Sequence, residues 1–186
     1  MLIVFGGLRG TGKTTVARAV AKHLGAAYVR VDAIEAALWQ TGIARNQPTG
    51  LAAYAVAHAI AEGSLTAGAS VVVDAVNPVA EARLGWTQLA HRTAKPLRLV
   101  EVVCSDQAEH RRRVEDRRSD LDGHSVPTWR EVQDREYDRW EEPRLMVDTA
   151  KATPRQCVAQ VLARVATELS REGGSGRSAP RGRPSS

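Results

Sequence analysis

Leu2-Ile3-Val4-Phe5-Gly6-Gly7-Leu8-Arg9-Gly10-Thr11-Gly12-Lys13-Thr14-Thr15 decides how this chain folds. The apolar run Leu2–Phe5 reads as a buried strand. Where it stops, Gly7 to Thr14 spells G-x-x-x-x-G-K-[ST]. Glycines let backbone wrap closely around an anion, so that successive N–H groups point inward at phosphate oxygens. Behind the loop, Val16, Ala17, Ala19, Val20 and Ala21 recur at helical spacing, which predicts a helix whose positive dipole end faces the same phosphates. A glycine turn without chemistry is the competing reading, but the strand before and the helix after favour a phosphate loop. Lys13 would then reach the β and γ phosphates, and the Thr14 hydroxyl would take a Mg²⁺ position.

Composition narrows the class. At 186 residues, 43% apolar and 25% charged, the chain has the make-up of a single globular domain. No run approaches the ~20 apolar residues that cross a bilayer. The first residues lead straight into the glycine loop, without the pattern of a secretory signal. A cytoplasmic protein with no membrane partner is expected. Cys104 and Cys157 fall in apolar runs without metal-ligand spacing and are expected to be buried, inert thiols. Of the net charge of +5, three charges come from Arg171, Arg177, Arg181 and Arg183 against Glu172. That Gly/Ser/Pro-rich stretch predicts a disordered tail over 171–186, following one domain over 1–170. A solvated tail is the simpler reading; weak contact with RNA or membranes is the alternative.

β-rich runs at Leu2–Phe5, Ala27–Val31, Ser70–Asp74, Leu97–Val103 and Leu145–Val147 alternate with helical patterns. This alternation predicts an α/β fold, a parallel sheet covered on both faces. Leu51–Ala67 reads as a helix stopped by Gly68, and Asp106 with Glu109 opens an arginine-rich helix. Trp129, Val132 and Trp140 are expected on one buried helical stripe. Thr153 and Pro154 begin a last helix carrying Val158, Val161, Leu162, Val165 and Leu169. Residues 40–50 and 121–127 read as loops.

In a parallel sheet, catalytic groups gather beyond the carboxyl ends of the strands. Asp32 and Asp74 both end strand-like runs. Asp74 suits Mg²⁺, directly or through water; Asp32 suits orienting or deprotonating an acceptor hydroxyl. Sequence alone leaves open an exchange of these roles. Arg113 and Arg117, four apart, share a helix face and would close as a lid over the phosphates. A solvated basic face partnered by Glu115 and Asp116 is the alternative. Tyr54 and His58 either line an acceptor pocket or pack in the core, and Trp39, Gln40 and Arg45 are weaker acceptor-side candidates.

Taken together, these residues resemble the small P-loop kinases of the AAA-33 type, a group related to polynucleotide kinases, chloramphenicol phosphotransferase, gluconate kinase and zeta-toxin kinases. The matching stretches are Gly7 to Thr15, Arg30-Val31-Asp32, Val71 to Asn77 with Arg83 beyond, Arg113 to Arg117, and Val147-Asp148-Thr149. The resemblance implies the three-layer P-loop NTPase fold, with a five-stranded parallel sheet of order 2-3-1-4-5 and an arginine lid helix. ATP with Mg²⁺ and phosphoryl transfer to a hydroxyl are implied as well. It matches Asp32 to the acceptor-activating aspartate and Arg113 or Arg117 to the lid arginine, so that Lys13, Asp32, Arg113 and Arg117 are the expected catalytic residues. Nucleotide binding goes to Gly7, Arg9, Gly10, Thr11, Gly12, Lys13, Thr14 and Thr15, with Thr149 in the base-binding loop, and metal binding to Thr14 and Asp74. Polynucleotide kinases carry arginine three residues after the acceptor-side aspartate; this chain has Glu35 there. A carboxylate facing a polyanion opposes binding, and aromatic residues at 4% offer few stacking platforms. The expected acceptor is therefore a small molecule, neutral or cationic: a sugar, a nucleoside or a natural-product antibiotic. The alternatives are a nucleic-acid 5′-end or nucleotide kinase, and a regulatory ATPase acting through a protein partner.

Overall fold

Strands β1 (Leu2–Gly6), β2 (Ala27–Arg30), β3 (Val71–Asp74), β4 (Leu97–Val103) and β5 (Leu145–Asp148) form one all-parallel sheet. Its order is β2-β3-β1-β4-β5, as the resemblance implied. The computed structural model describes residues 1–116 and 127–174, with side chains through Thr167. Helices α1 (Lys13–Leu24), α2 (Val31–Gln40), α3 (Thr49–Thr66), α4 (Ala80–Arg92), α5 (Gln107–Glu115), α6 (Trp129–Gln133) and α7 (Pro154–Gly174) connect and cover the strands. Among the described residues no helix is long and apolar enough to cross a membrane.

Alternation along each strand builds two cores. Leu2 and Val4 face one layer with Val71, Val73, Ala57, Ala61, Leu65 and Trp86, which belong to β3, α3 and α4. Ile3 and Phe5 face the other, with Val16 and Val20 of α1 and Cys157, Val161 and Val165 of α7. Central strand β1 is fully buried, so both of its faces must be apolar. Both cysteines are free and buried.

Several boundaries follow local chemistry. Val31 begins α2 directly after β2, so the strand is shorter than expected and Asp32 stands in a helical first turn, where its charge complements the helix dipole. Asp106 caps α5 by accepting from the Glu109 N–H, as read from the sequence. Thr153 and Gln156 exchange cap hydrogen bonds at the start of α7. That helix runs to Gly174, past residue 170 where the domain was expected to end.

The tryptophan stripe does not form. α6 ends at Gln133, and Trp140 lies in the irregular segment before β5. There Trp140 packs against Gly6, at the end of β1, and under the guanidinium of Arg83, 4.9 Å from the ring centroid. Only Val132 of the stripe is buried in α6, while Trp129 stands edge-on to His110.

Candidate active site

Residues 7–12 join the central strand to α1 and sit where the sheet's carboxyl end opens. Gly10 and Gly12 have φ of 86° and 87°, a left-handed conformation that costs glycine nothing. Gly12 is the N-cap of α1 and has no side chain to cap it, and the first turn carries no acidic residue. The leading amides of α1 are therefore available to an anion, and the dipole favours one. A cleft of about 300 Å³ opens over this loop, lined by Arg9, Gly10, Gly12, Lys13, Thr14 and Thr15, together with Arg18, Asp32 and Arg113. Four cations face one carboxylate there, the balance a polyphosphate needs.

Lys13 and Asp74, both nearly fully buried, form an ion pair at 2.6 Å. The register of β2 on β3 sets Arg30 opposite Asp74, and Arg30 Nε lies 3.9 Å from its carboxylate. Two residues back on the same strand face, the Tyr28 hydroxyl donates to Asp74 at 2.7 Å. Burial alone would raise the Asp74 pKa, but the Lys13 charge and hydrogen bonds from Lys13, Tyr28 and Thr14 hold it below the usual carboxylate range. Tyr28 moves upward, through burial first and then the Asp74 charge. Asp74 and the Thr14 hydroxyl are thus in contact as an oxygen pair. Among the described residues no group of three or more His, Cys, Asp or Glu could hold a metal. A hard cation sharing its remaining ligands with phosphate oxygens and water, as Mg²⁺ does, fits such a pair.

Asp32 lines the cleft and pairs with Arg9 at 3.5 Å. Glu35, one turn further along α2, accepts from the Thr49 hydroxyl, which itself accepts from the Trp39 indole N–H. Glu35 thus anchors the start of α3 and is not available solely as an acceptor-side charge. Tyr54 and His58 take the packed alternative. The Tyr54 oxygen accepts from the Asn77 N–H, and burial raises its pKa to about 12. His58 stacks on Trp86 with ring centroids 3.7 Å apart, and burial lowers its pKa.

α5 closes one side of the loop. Arg113 donates to the Thr149 hydroxyl at 2.8 Å and to the Thr149 carbonyl at 3.2 Å, and pairs with Glu109 at 2.7 Å. The two hydrogen-bonding arginines Arg112 and Arg113 hold the Glu109 carboxyl at about 2. Arg117 lies outside the described residues, as does most of the loop expected over 121–127.

The sequence model of the AAA_33 family, described as an AAA domain, matches residues 2–143. The chain belongs to this family. No curated protein sequence matches it. Among solved structures, the AAA_33 chain is similar to Kti12 from Chaetomium thermophilum, in complex with ADP-AlF3 (TM-score 0.65, 20% identity, 88% of this chain and 98% of that one). It is similar to a gluconokinase from Sinorhizobium meliloti 1021 (TM-score 0.62, 22% identity, 91% and 95%). It is also similar to the APS kinase CysC from Mycobacterium tuberculosis, in complex with AMPPNP and APS (TM-score 0.61, 19% identity, 86% and 94%). At these identities the likeness establishes the P-loop NTPase fold.

Four contributors escaped the sequence reading. Arg18 lines the cleft because it lies one helical turn after Thr14; that spacing was legible. Tyr28 and Arg30 meet Asp74 only once β2 is known to pair with β3. His110, whose ring nitrogen lies 2.8 Å from the Arg9 carbonyl, gave no signal, since the contact joins elements far apart in the chain.

Proposed function

We propose that this AAA_33 protein is an ATP-dependent phosphotransferase that acts on a hydroxyl of a small molecule in the cytoplasm: a sugar, a nucleoside or a natural product. The observation that carries the reading is the convergence of Lys13, Thr14 and Asp32 on one cleft, with Asp74 held against Lys13 and Thr14. MgATP supplies the electrophilic phosphoryl group. The loop amides and Lys13 hold its phosphates, while Thr14 and Asp74 hold the metal. Asp32, positioned by Arg9, orients the acceptor hydroxyl and takes its proton as charge develops; beside a metal-bound phosphate an ordinary carboxylate suffices. Arg113, and Arg117 four residues on, neutralise charge on the transferring group.

A screen of hydroxyl compounds for ADP release, with Lys13→Ala protein as blank, tests the proposal. The expected outcome is a rate that rises with one class of acceptor. Hydrolysis that ignores every compound but responds to a protein partner would make the chain a regulatory ATPase.

A further inference from the structure

Two peptide planes in the phosphate loop are held by side chains from outside it. His110, 8% exposed on α5, places Nε2 2.8 Å from the Arg9 carbonyl; since a carbonyl only accepts, Nε2 donates. The ring is fixed by Trp129, edge-on at 5.1 Å between centroids. Second, the Thr149 hydroxyl lies 2.7 Å from the Thr11 carbonyl and 3.1 Å from the Val103 carbonyl, so its single proton goes best to Thr11. The hydrogen bond from Arg113 to that hydroxyl oxygen leaves the proton facing the loop.

Both held peptides precede a glycine of positive φ, Gly10 in one case and Gly12 in the other. Glycine accepts either sign of φ, so the peptide before it can rotate at little cost. Such a rotation would turn a carbonyl, instead of an N–H, toward an incoming phosphate. In a trans peptide the C=O and N–H point in opposite directions. Holding the Arg9 carbonyl against α5 therefore turns the Gly10 N–H away from His110. Holding the Thr11 carbonyl against Thr149 does the same for the Gly12 N–H.

We infer that His110 and Thr149 are positioning residues that lock these two peptide planes and so preorganise the loop for phosphate. The inference rests on the phosphate-binding reading above. Neither residue needs to touch the reacting atoms; each acts through a backbone carbonyl.

The test uses the full chain with paired substitutions. His110→Phe keeps the ring but removes the donor, while His110→Gln keeps an N–H at similar reach. Thr149→Val keeps the shape but removes the hydroxyl, while Thr149→Ser keeps it. In nucleotide-free protein, amide hydrogen exchange over residues 7–14 should quicken about tenfold in each of the first variants and recover in the second, the size of one lost hydrogen bond. MgATP affinity by calorimetry should weaken about tenfold in each, and about a hundredfold in the His110→Phe/Thr149→Val double variant, because the two locks act on separate peptides. Wild-type exchange and affinity in His110→Phe and Thr149→Val would overturn the inference. So would rescue variants no better than the disruptive ones. If the wild-type protein itself gives no heat with MgATP, the phosphate-binding reading fails first and this inference falls with it.

Discussion

At the scale of single residues, the two aspartates separate by their partners. Asp74 is nearly fully buried and surrounded by Lys13, Tyr28, Thr14 and Arg30, whereas Asp32 lines the cleft beside Arg9. The proposed function accordingly gives the acceptor to Asp32, which lines the cleft, and the metal to the buried Asp74. Asp32→Asn is therefore expected to lower kcat by about 10²-fold or more, the usual worth of a general base, while the KM for ATP stays within about twofold. Steady-state kinetics on the acceptor found by the ADP-release screen checks this, and unchanged kcat would remove Asp32 from the proposed chemistry. Asp148 offers a residue-scale test of stability. Burial pushes its carboxyl up, but hydrogen bonds from Ser105, Ala150 and Lys151 hold it at about 2, below the ordinary value of 3.8. The ionised form is the one the fold favours. Its stabilisation is complete above about pH 4 and is lost as the pH falls toward 2. Asp148→Asn should melt below wild type at pH 7, and the two melting curves should converge near pH 2.

At the scale of elements, α5 is the helix on which the loop leans. A Cβ at Gly10 would come within 2.5 Å of a Val114 methyl and 3.1 Å of the His110 ring, and Gly10 also holds a left-handed φ. Gly10→Ala combines a clash with backbone strain of about 1–2 kcal/mol. Its MgATP affinity is expected to fall well over tenfold. Adding Val114→Ala should restore part of the loss, because it removes the closest contact and leaves the His110 contact and the strain; calorimetry on both proteins decides. This packing also marks how far the sequence could be read. The strand order, the loop and the place of Asp74 at the end of β3 were legible because each is written in contiguous residues or in the family resemblance. The cap at Asp106 was legible for the same reason. Trp140 was misplaced because its spacing from Trp129 fits a helix, while the run Asp134–Arg139 between them is charged apart from Tyr137, too little to give a helix an apolar face. Its real partners, Gly6 and Arg83, lie on other elements. Tyr54 and His58 left two readings open since helical spacing fixes a shared face but not what that face meets, here Asn77 and Trp86.

At the scale of the whole molecule, the cleft stands where both cores end. β1 carries Leu2 and Val4 in one core and Ile3 and Phe5 in the other, and runs directly into the loop. The loop is tied to the segment just after β3 by the Gly7 N–H on the Val76 carbonyl, to α5 by His110 and to the β5–α7 connection by Thr149. A ligand held by the loop thus bears on both layers at once, and its binding energy adds to the stability of the entire domain instead of to a local flap. Mass action sets the size. MgATP at about a hundred times its dissociation constant contributes about 2.7 kcal/mol to the native state. For a domain this long that corresponds to a rise in Tm of roughly 5–10 °C. Thermal melts followed separately by tryptophan fluorescence and by far-ultraviolet dichroism should show one transition that moves up by the same amount in both signals. Trp86 and Trp140 report the α3–α4 core, and Trp39 and Trp129 report α2 and the α5–α6 contact, while dichroism averages every helix, α1 and α7 included. Lys13→Ala should melt once but fail to shift with MgATP. A shift seen in one signal and not in the other would mean that the loop and the two cores are not energetically joined.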